Sequence, residues 1–90
     1  MSQVIDQVSR QRFELEEEGK LAYADYRRES NLLIIPYVYA DPALRGHGTA
    51  GRLMAGMLDI IRSRREKVRP VCGYAKAWIQ RHPEYHDLIG

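Results

Sequence analysis

The spacing of apolar residues changes twice between residues 32 and 71, and this double change restricts the fold more than any other feature. Residues 32–39, Leu-Leu-Ile-Ile-Pro-Tyr-Val-Tyr, form an almost unbroken apolar run rich in β-branched and aromatic side chains, as expected of a strand buried on both faces. After Asp41-Pro42 the pattern becomes helical. Leu53, Met54, Met57, Leu58 and Ile61 fall at i, i+1, i+4, i+5 and i+8, and Arg52, Asp59, Arg62 and Glu66 take the other face. The spacing predicts a helix over residues 49–65, then a short strand over 67–71. A strand–helix–strand order makes the two strands parallel neighbours joined by one crossover. Pro36 interrupts the first of them. Proline has no N–H to give to a ladder, so a bulge or a splayed edge is expected near Pro36.

The preceding third reads as antiparallel β-structure. Residues 12–16 alternate polar and apolar, Glu17-Glu18-Gly19-Lys20 is a turn, and residues 21–27 resume extended character, which together predict a hairpin. Ser30-Asn31 marks a second turn. Downstream, a second helix is expected over 74–81, stopped near His82-Pro83 because proline disfavours helix in the residue before it. Residues 84–90 form a tail in which Tyr85, Leu88 and Ile89 are available to pack. The class is therefore α/β in the α+β sense, with a mostly antiparallel sheet, one parallel pair and two helices.

Size limits what such a fold can host. Ninety residues at 10.4 kDa should expose about 5,400 Å² folded against about 15,000 Å² unfolded, enough for one core and one domain over 1–90, and too little for a two-domain enzyme. No apolar run approaches the roughly 20 residues that span a bilayer, and residues 1–6 lack the start of a secretory signal. The lone Cys72 cannot form an internal disulfide and fits a reducing, cytoplasmic setting. Charge is uneven. Residues 1–30 carry five basic and seven acidic side chains, whereas residues 31–90 carry nine basic and five acidic ones. An anionic ligand is therefore expected on the C-terminal two-thirds.

Arg45-Gly46-His47-Gly48-Thr49-Ala50 lies between the buried strand and the long helix. The first N–H groups of a helix have no internal partner, and the helix dipole adds positive potential there. Glycines let a phosphate approach the backbone, and Arg45 adds a full charge at the rim. A ligand-free glycine turn is the competing explanation. No lysine follows these glycines as a Walker loop requires. Gly46-His47-Gly48-Thr49-Ala50-Gly51 spells the dinucleotide fingerprint, but neither a doubly wound sheet nor the acidic residue of that fingerprint accompanies it.

Arg45-x-x-Gly48-x-Ala50 resembles the Arg/Gln-x-x-Gly-x-Gly/Ala signature of the GNAT acyltransferase superfamily. The likeness narrows with Leu44 to Ala50, with Val68-Arg69-Pro70-Val71-Cys72-x-Tyr74, and with Trp78-Ile79-x-Arg81-His82-Pro83-Glu84-Tyr85-x-Asp87-Leu88. These segments resemble the minimal GNAT-like group, the small predicted N-acetyltransferases. The resemblance implies a GNAT-like fold whose parallel pair splays around acetyl-coenzyme A. It further implies pyrophosphate binding by Arg45, Gly46, His47, Gly48, Thr49 and Ala50, and backbone binding of the pantetheine arm by Val38, Tyr39 and Ala40. The implied reaction is acyl transfer to an amine, the acceptor being a protein or another amine. The alternatives on the same fold are a coenzyme A-binding module without turnover and a small protein-interaction domain. This sequence departs from the group in one respect. Tyr37-Val38-Tyr39-Ala40 replaces its usual histidine and Thr-Glu-Val-like run, so no chemistry of those side chains carries over.

Within that resemblance Cys72 would sit beside the thioester, where a thiolate could accept the acyl group; an inert, packed cysteine is the plainer reading. Tyr74 is a candidate proton donor to the leaving thiolate, or an aromatic packing residue. Tyr37 and Tyr39 line the channel or belong to the core. Glu84 and Tyr85 are read as C-terminal packing, and His47 as an exposed loop residue. His82 and His86 stand at i, i+4 with Pro83 between them, a poor metal pair, and no metal is expected. Arg62, Arg64, Arg65, Lys67 and Arg69 read as a solvated helix end without the interleaved aromatics of a nucleic-acid surface. The expected state is a monomer or a homodimer, with neither nucleic acid nor membrane as partner.

Overall fold

Five strands pair into one sheet in the computed structural model, which describes residues 3–90. They are β1 (Ile5–Gln7), β2 (Arg12–Glu17), β3 (Lys20–Glu29), β4 (Leu32–Ala40) and β5 (Lys67–Pro70), with helices α1 (Thr49–Ser63) and α2 (Gly73–Gln80). Spatial order follows chain order. β1 to β4 are antiparallel, and β4–β5 is the one parallel pair. The β2–β3 hairpin closes on Glu18 (φ 52°) and Gly19 (φ 74°), the left-handed two-residue loop that matches strand twist.

The bulge falls where Pro36 predicts it. Asp25 pairs with Tyr37 and Arg27 with Ile34, so β4 advances three residues while β3 advances two, and the extra residue lies at Ile35-Pro36. Pairing with β5 stops at the same place. The last partners are Ile35 and Pro70, and the Ile35 carbonyl accepts both Val71 N–H and Cys72 N–H at 3.0 Å. Beyond that point β4 and β5 part.

One apolar cluster joins the sheet to both helices. Phe13, Leu15, Ala22, Ala24, Leu33 and Ile35 pack against Leu53, Met54, Met57, Leu58 and Ile61 of α1 and against Ala75, Trp78 and Ile79 of α2. Tyr23, Tyr37 and Tyr39 project from the other face, where Tyr23 stands 5.1 Å from Tyr39 and 6.2 Å from Tyr37 between ring centroids. Accessible surface totals 5334 Å², close to the value expected from mass. No helix of the described residues is long and apolar enough to cross a membrane.

Several expectations need correction. Only Leu33, Ile34 and Ile35 of β4 are fully buried; Pro36 and Tyr37 are exposed, because the bulge turns this half of the strand away from its former neighbour. β1 has no counterpart in the sequence reading, since three residues give no alternation to detect. α1 ends at Ser63, two residues early. Arg65 adopts φ 58°, and Glu66 N–H to Ile61 O (3.1 Å) with Arg65 N–H to Arg62 O (3.0 Å) form a Schellman stop without glycine. Glu66 lies beyond the helix, buried and paired with Arg28. α2 begins and ends one residue earlier than expected, and β5 loses Val71 to the shared Ile35 carbonyl. The tail is a 3-10 helix, Pro83–Leu88, followed by a bridge from Ile89 to Val68.

Candidate functional site

Two features meet where β4 leaves β5. The first is exposed backbone. Asp41 N–H donates to Leu21 O at 3.1 Å, which sets the phase of the strand. By alternation Tyr37 and Tyr39 direct their backbone groups to β3, and Val38 and Ala40 direct theirs into the splay. The second is the start of α1. Its first internal bond runs from Arg52 N–H to Gly48 O at 3.0 Å, so the N–H groups of Thr49, Ala50 and Gly51 precede the ladder. Gly48 is the N-cap; no side chain caps these amides, and no acidic residue stands in the first turn. Gly46 (φ 84°) and Gly48 (φ 77°) hold conformations that side chains resist. A cavity of about 250 Å³ opens here, lined by Ala40, Leu44, Arg45, Gly46, Gly48, Thr49, Ala50, Gly51 and Tyr74.

A carboxylate clamp holds the loop in place. Glu17, at the hairpin end of β2, accepts Thr49 Oγ1–H at 2.6 Å and both Nε–H (2.8 Å) and Nη2–H (2.7 Å) of Arg52. Arg52 Nη2 also donates to the His47 carbonyl at 2.8 Å. Hydrogen bonds from Arg52 and then from Thr49 lower the Glu17 pKa to about 2. Arg52 and Glu17 did not stand out in the sequence, where Arg52 is one of several polar residues on the outer face of α1. A long-range pair leaves no periodic signal. The clamp spends Arg52 on Glu17 and leaves Arg45 exposed, with no ion-pair partner among the described residues.

The sequence candidates separate in space. Arg45, Gly46, Gly48, Thr49, Ala50 and Ala40 share the cavity wall with Tyr74. His47 is not part of that wall. Its N–H goes to Leu44 O (3.2 Å), its carbonyl to Arg52, and its Nδ1 lies 3.7 Å from Glu18. Val38 presents backbone to the splay, and Tyr39 is held among the tyrosines of the opposite face. Tyr74 is exposed on that wall, and partial desolvation raises its pKa, with Arg81 opposing the rise and Cys72 adding to it. Cys72 is the N-cap of α2 and packs in part against the core. His82 Nδ1–H donates to Trp78 O (2.6 Å) and His86 Nε2–H to Ile79 O (2.8 Å), because a carbonyl can only accept. No group of three or more potential metal ligands occurs among the described residues. The basic helix end is largely paired: Arg62 with Asp87, Arg64 with Asp6, and Lys67 with the Asp87 carbonyl. Tyr85 donates its O–H to Asp59 at 3.0 Å and packs near Trp78.

No curated protein matches the sequence. A family model described as GCN5-related N-acetyl-transferase matches residues 12–88, from the first residue of β2 to the end of the final 3-10 helix, and so takes in the hairpin, the splayed pair, the glycine loop and both helices. The chain belongs to the GCN5-related N-acetyltransferase family.

Proposed function

We propose that this chain is an acetyl-coenzyme A-dependent N-acyltransferase acting on an amine. The observation that carries the proposal is the coincidence of an uncapped, acid-free helix start with an open strand edge, both created within the segment from Pro36 to Gly51. These residues fit the cofactor: free amides and Arg45 suit a pyrophosphate, and the backbone of Val38 and Ala40 suits an amide-bearing arm. Acetyl-coenzyme A, when bound, supplies an acyl group already activated as a thioester. The chain's own contribution is positioning. Thr49, Ala50 and Gly51 N–H groups neutralise phosphate charge, and backbone donors at the splay orient a carbonyl and stabilise the oxyanion. Tyr74 holds a proton at its hydroxyl on the cavity wall. An acceptor amine reaches the splay from the sheet face that carries the half-exposed Tyr37, so a bulky acceptor such as a protein can be served. Partial packing of Cys72 against the core favours direct transfer over an acyl-cysteine intermediate.

Thermal denaturation with acetyl-coenzyme A tests the binding step. Ligand at 100 times Kd stabilises the native state by about 2.7 kcal/mol. Ala50→Glu places a carboxylate in the cradle without backbone strain, at a helix end that favours acids, and should abolish the shift while leaving the fold intact. Absence of any shift at millimolar ligand would refute the proposal. Thiol release in the presence of amine-rich protein tests turnover; binding without release would reassign the chain to a coenzyme A-binding module.

A further inference from the structure

We propose that the groove between β5, α2 and the C-terminal segment binds a small organic carboxylate with an apolar body. The groove encloses about 500 Å³, within the range of small-ligand pockets. Its apolar walls are Pro70, Ile79 and Ile89, with Ile79 almost completely buried and Ile89 45% exposed. Arg69 from β5 and Lys76 from α2 face the same space, and both are exposed with no ion-pair or hydrogen-bond partner among the described residues. No carboxylate lines the groove. Gln80 adds an amide donor, and His86, the remaining polar wall, is fixed by its bond to the Ile79 carbonyl.

Six other arginines are ion-paired: Arg10 and Arg12 share Glu14, Arg28 pairs with Glu66, Arg52 with Glu17, Arg62 with Asp87 and Arg64 with Asp6. Two unpaired cations converging over an apolar floor are complementary to an anion that carries hydrocarbon. The edge of β5 selects a small ligand over an added peptide strand. Val68 O already accepts Gly90 N–H at 3.0 Å, and Pro70 has no N–H to offer, so a peptide cannot continue the ladder. The groove lies on the outer side of β5, whereas the splay lies on its β4 side. The two cavities share no lining residue, and the inference does not depend on acyl transfer.

The probe is sodium octanoate, titrated into the full chain and followed by amide chemical shifts. Saturable changes centred on Arg69, Lys76, Ile79 and Gln80 are expected, with Kd in the millimolar range or tighter. Octylamine, with the same hydrocarbon and opposite charge, should leave those amides unmoved. Arg69→Gln with Lys76→Gln should weaken octanoate at least about tenfold, as loss of charge-assisted bonds predicts; because both side chains are exposed and unpaired, the spectrum should otherwise keep its dispersion. Ala50→Glu should leave octanoate binding unchanged whatever it does to acetyl-coenzyme A. Failure to saturate, equal response to octylamine, or an unchanged Kd in the double variant would each overturn the proposal.

Discussion

Replacing Thr49 with valine isolates the clamp beneath the glycine loop. The two side chains are nearly the same shape, and Thr49 is 1% exposed, so packing is conserved while one hydrogen bond disappears. That bond runs to an ionised carboxylate at 2.6 Å, a class that contributes about 1.5–3 kcal/mol. The lower end applies here, because Glu17 Oε1 keeps Arg52 Nη2 at 2.7 Å and is not stranded. A loss of about 1.5 kcal/mol corresponds to roughly 6–12 °C in Tm for a domain of this size. Thr49→Ser should recover most of it.

The acid dependence of that difference is a sharper test than its size. Glu17 titrates at about 2 in the folded chain, below its ordinary 4.5, under the hold of Arg52 and then Thr49. A depressed carboxylate stabilises the fold fully above its unfolded pKa, and the contribution disappears as pH falls from about 4.5 through about 2. Removing one of its donors raises the folded pKa, so the wild-type advantage over Thr49→Val should be constant above about pH 5. It should contract at lower pH toward about 0.5 kcal/mol, the low end for a neutral hydrogen bond. Urea denaturation of both proteins from pH 7 to pH 2.5 measures it. A difference under about 0.5 kcal/mol at pH 7, or one that does not contract in acid, refutes the clamp as an ionised hydrogen-bond network.

Three further outcomes can be measured. Leu58→Ala empties a fully buried position at the α1–sheet contact and should cost about 3 kcal/mol, within the 2–5 kcal/mol span of such truncations, in denaturant midpoints at unchanged m. Arg65→Gly should raise stability by about 0.5–1 kcal/mol, because Arg65 sits at φ 58° and glycine meets no steric penalty there; a loss instead would mean that the side chain makes a contact outweighing the strain. Cys72→Ser should leave turnover within about twofold and intact-mass spectra free of an acetyl adduct, whereas a thousandfold loss would restore the covalent route.

The architecture was legible because its signals are local and repeated. Alternation over β2, the apolar run of β4 and the i, i+4 spacing of Leu53, Met57 and Ile61 each survive small boundary errors. What escaped has no local signature. β1 is too short to alternate. The stop of α1 uses Arg65 where glycine would have announced it. The Glu17–Thr49–Arg52 clamp joins residues 32 and 35 positions apart, and only a strand register and a helix position together bring them into reach. Glu66 reads as a polar helix residue, whereas the early stop leaves it beyond the helix, buried and paired with Arg28 of β3.

Pro36 is a local conflict in the sequence that coincides with the opening of the candidate site. A proline within an apolar run violates strand chemistry, because a central strand needs donors on both sides. The fold resolves the violation by inserting a residue at Ile35-Pro36, which shifts the phase of everything after it. Without that shift, Ile35 and Tyr37 would face the same side and β5 could go on pairing. With it, the backbone of Val38 and Ala40 is left open beside the amides of Thr49, Ala50 and Gly51. The same event accounts for the exposed half of β4 and for the early end of β5 at the shared Ile35 carbonyl. Consistency across levels is what makes a sequence specify its fold. Here one inconsistent residue, Pro36, separates the two strands at the position where the glycine loop can share the opening.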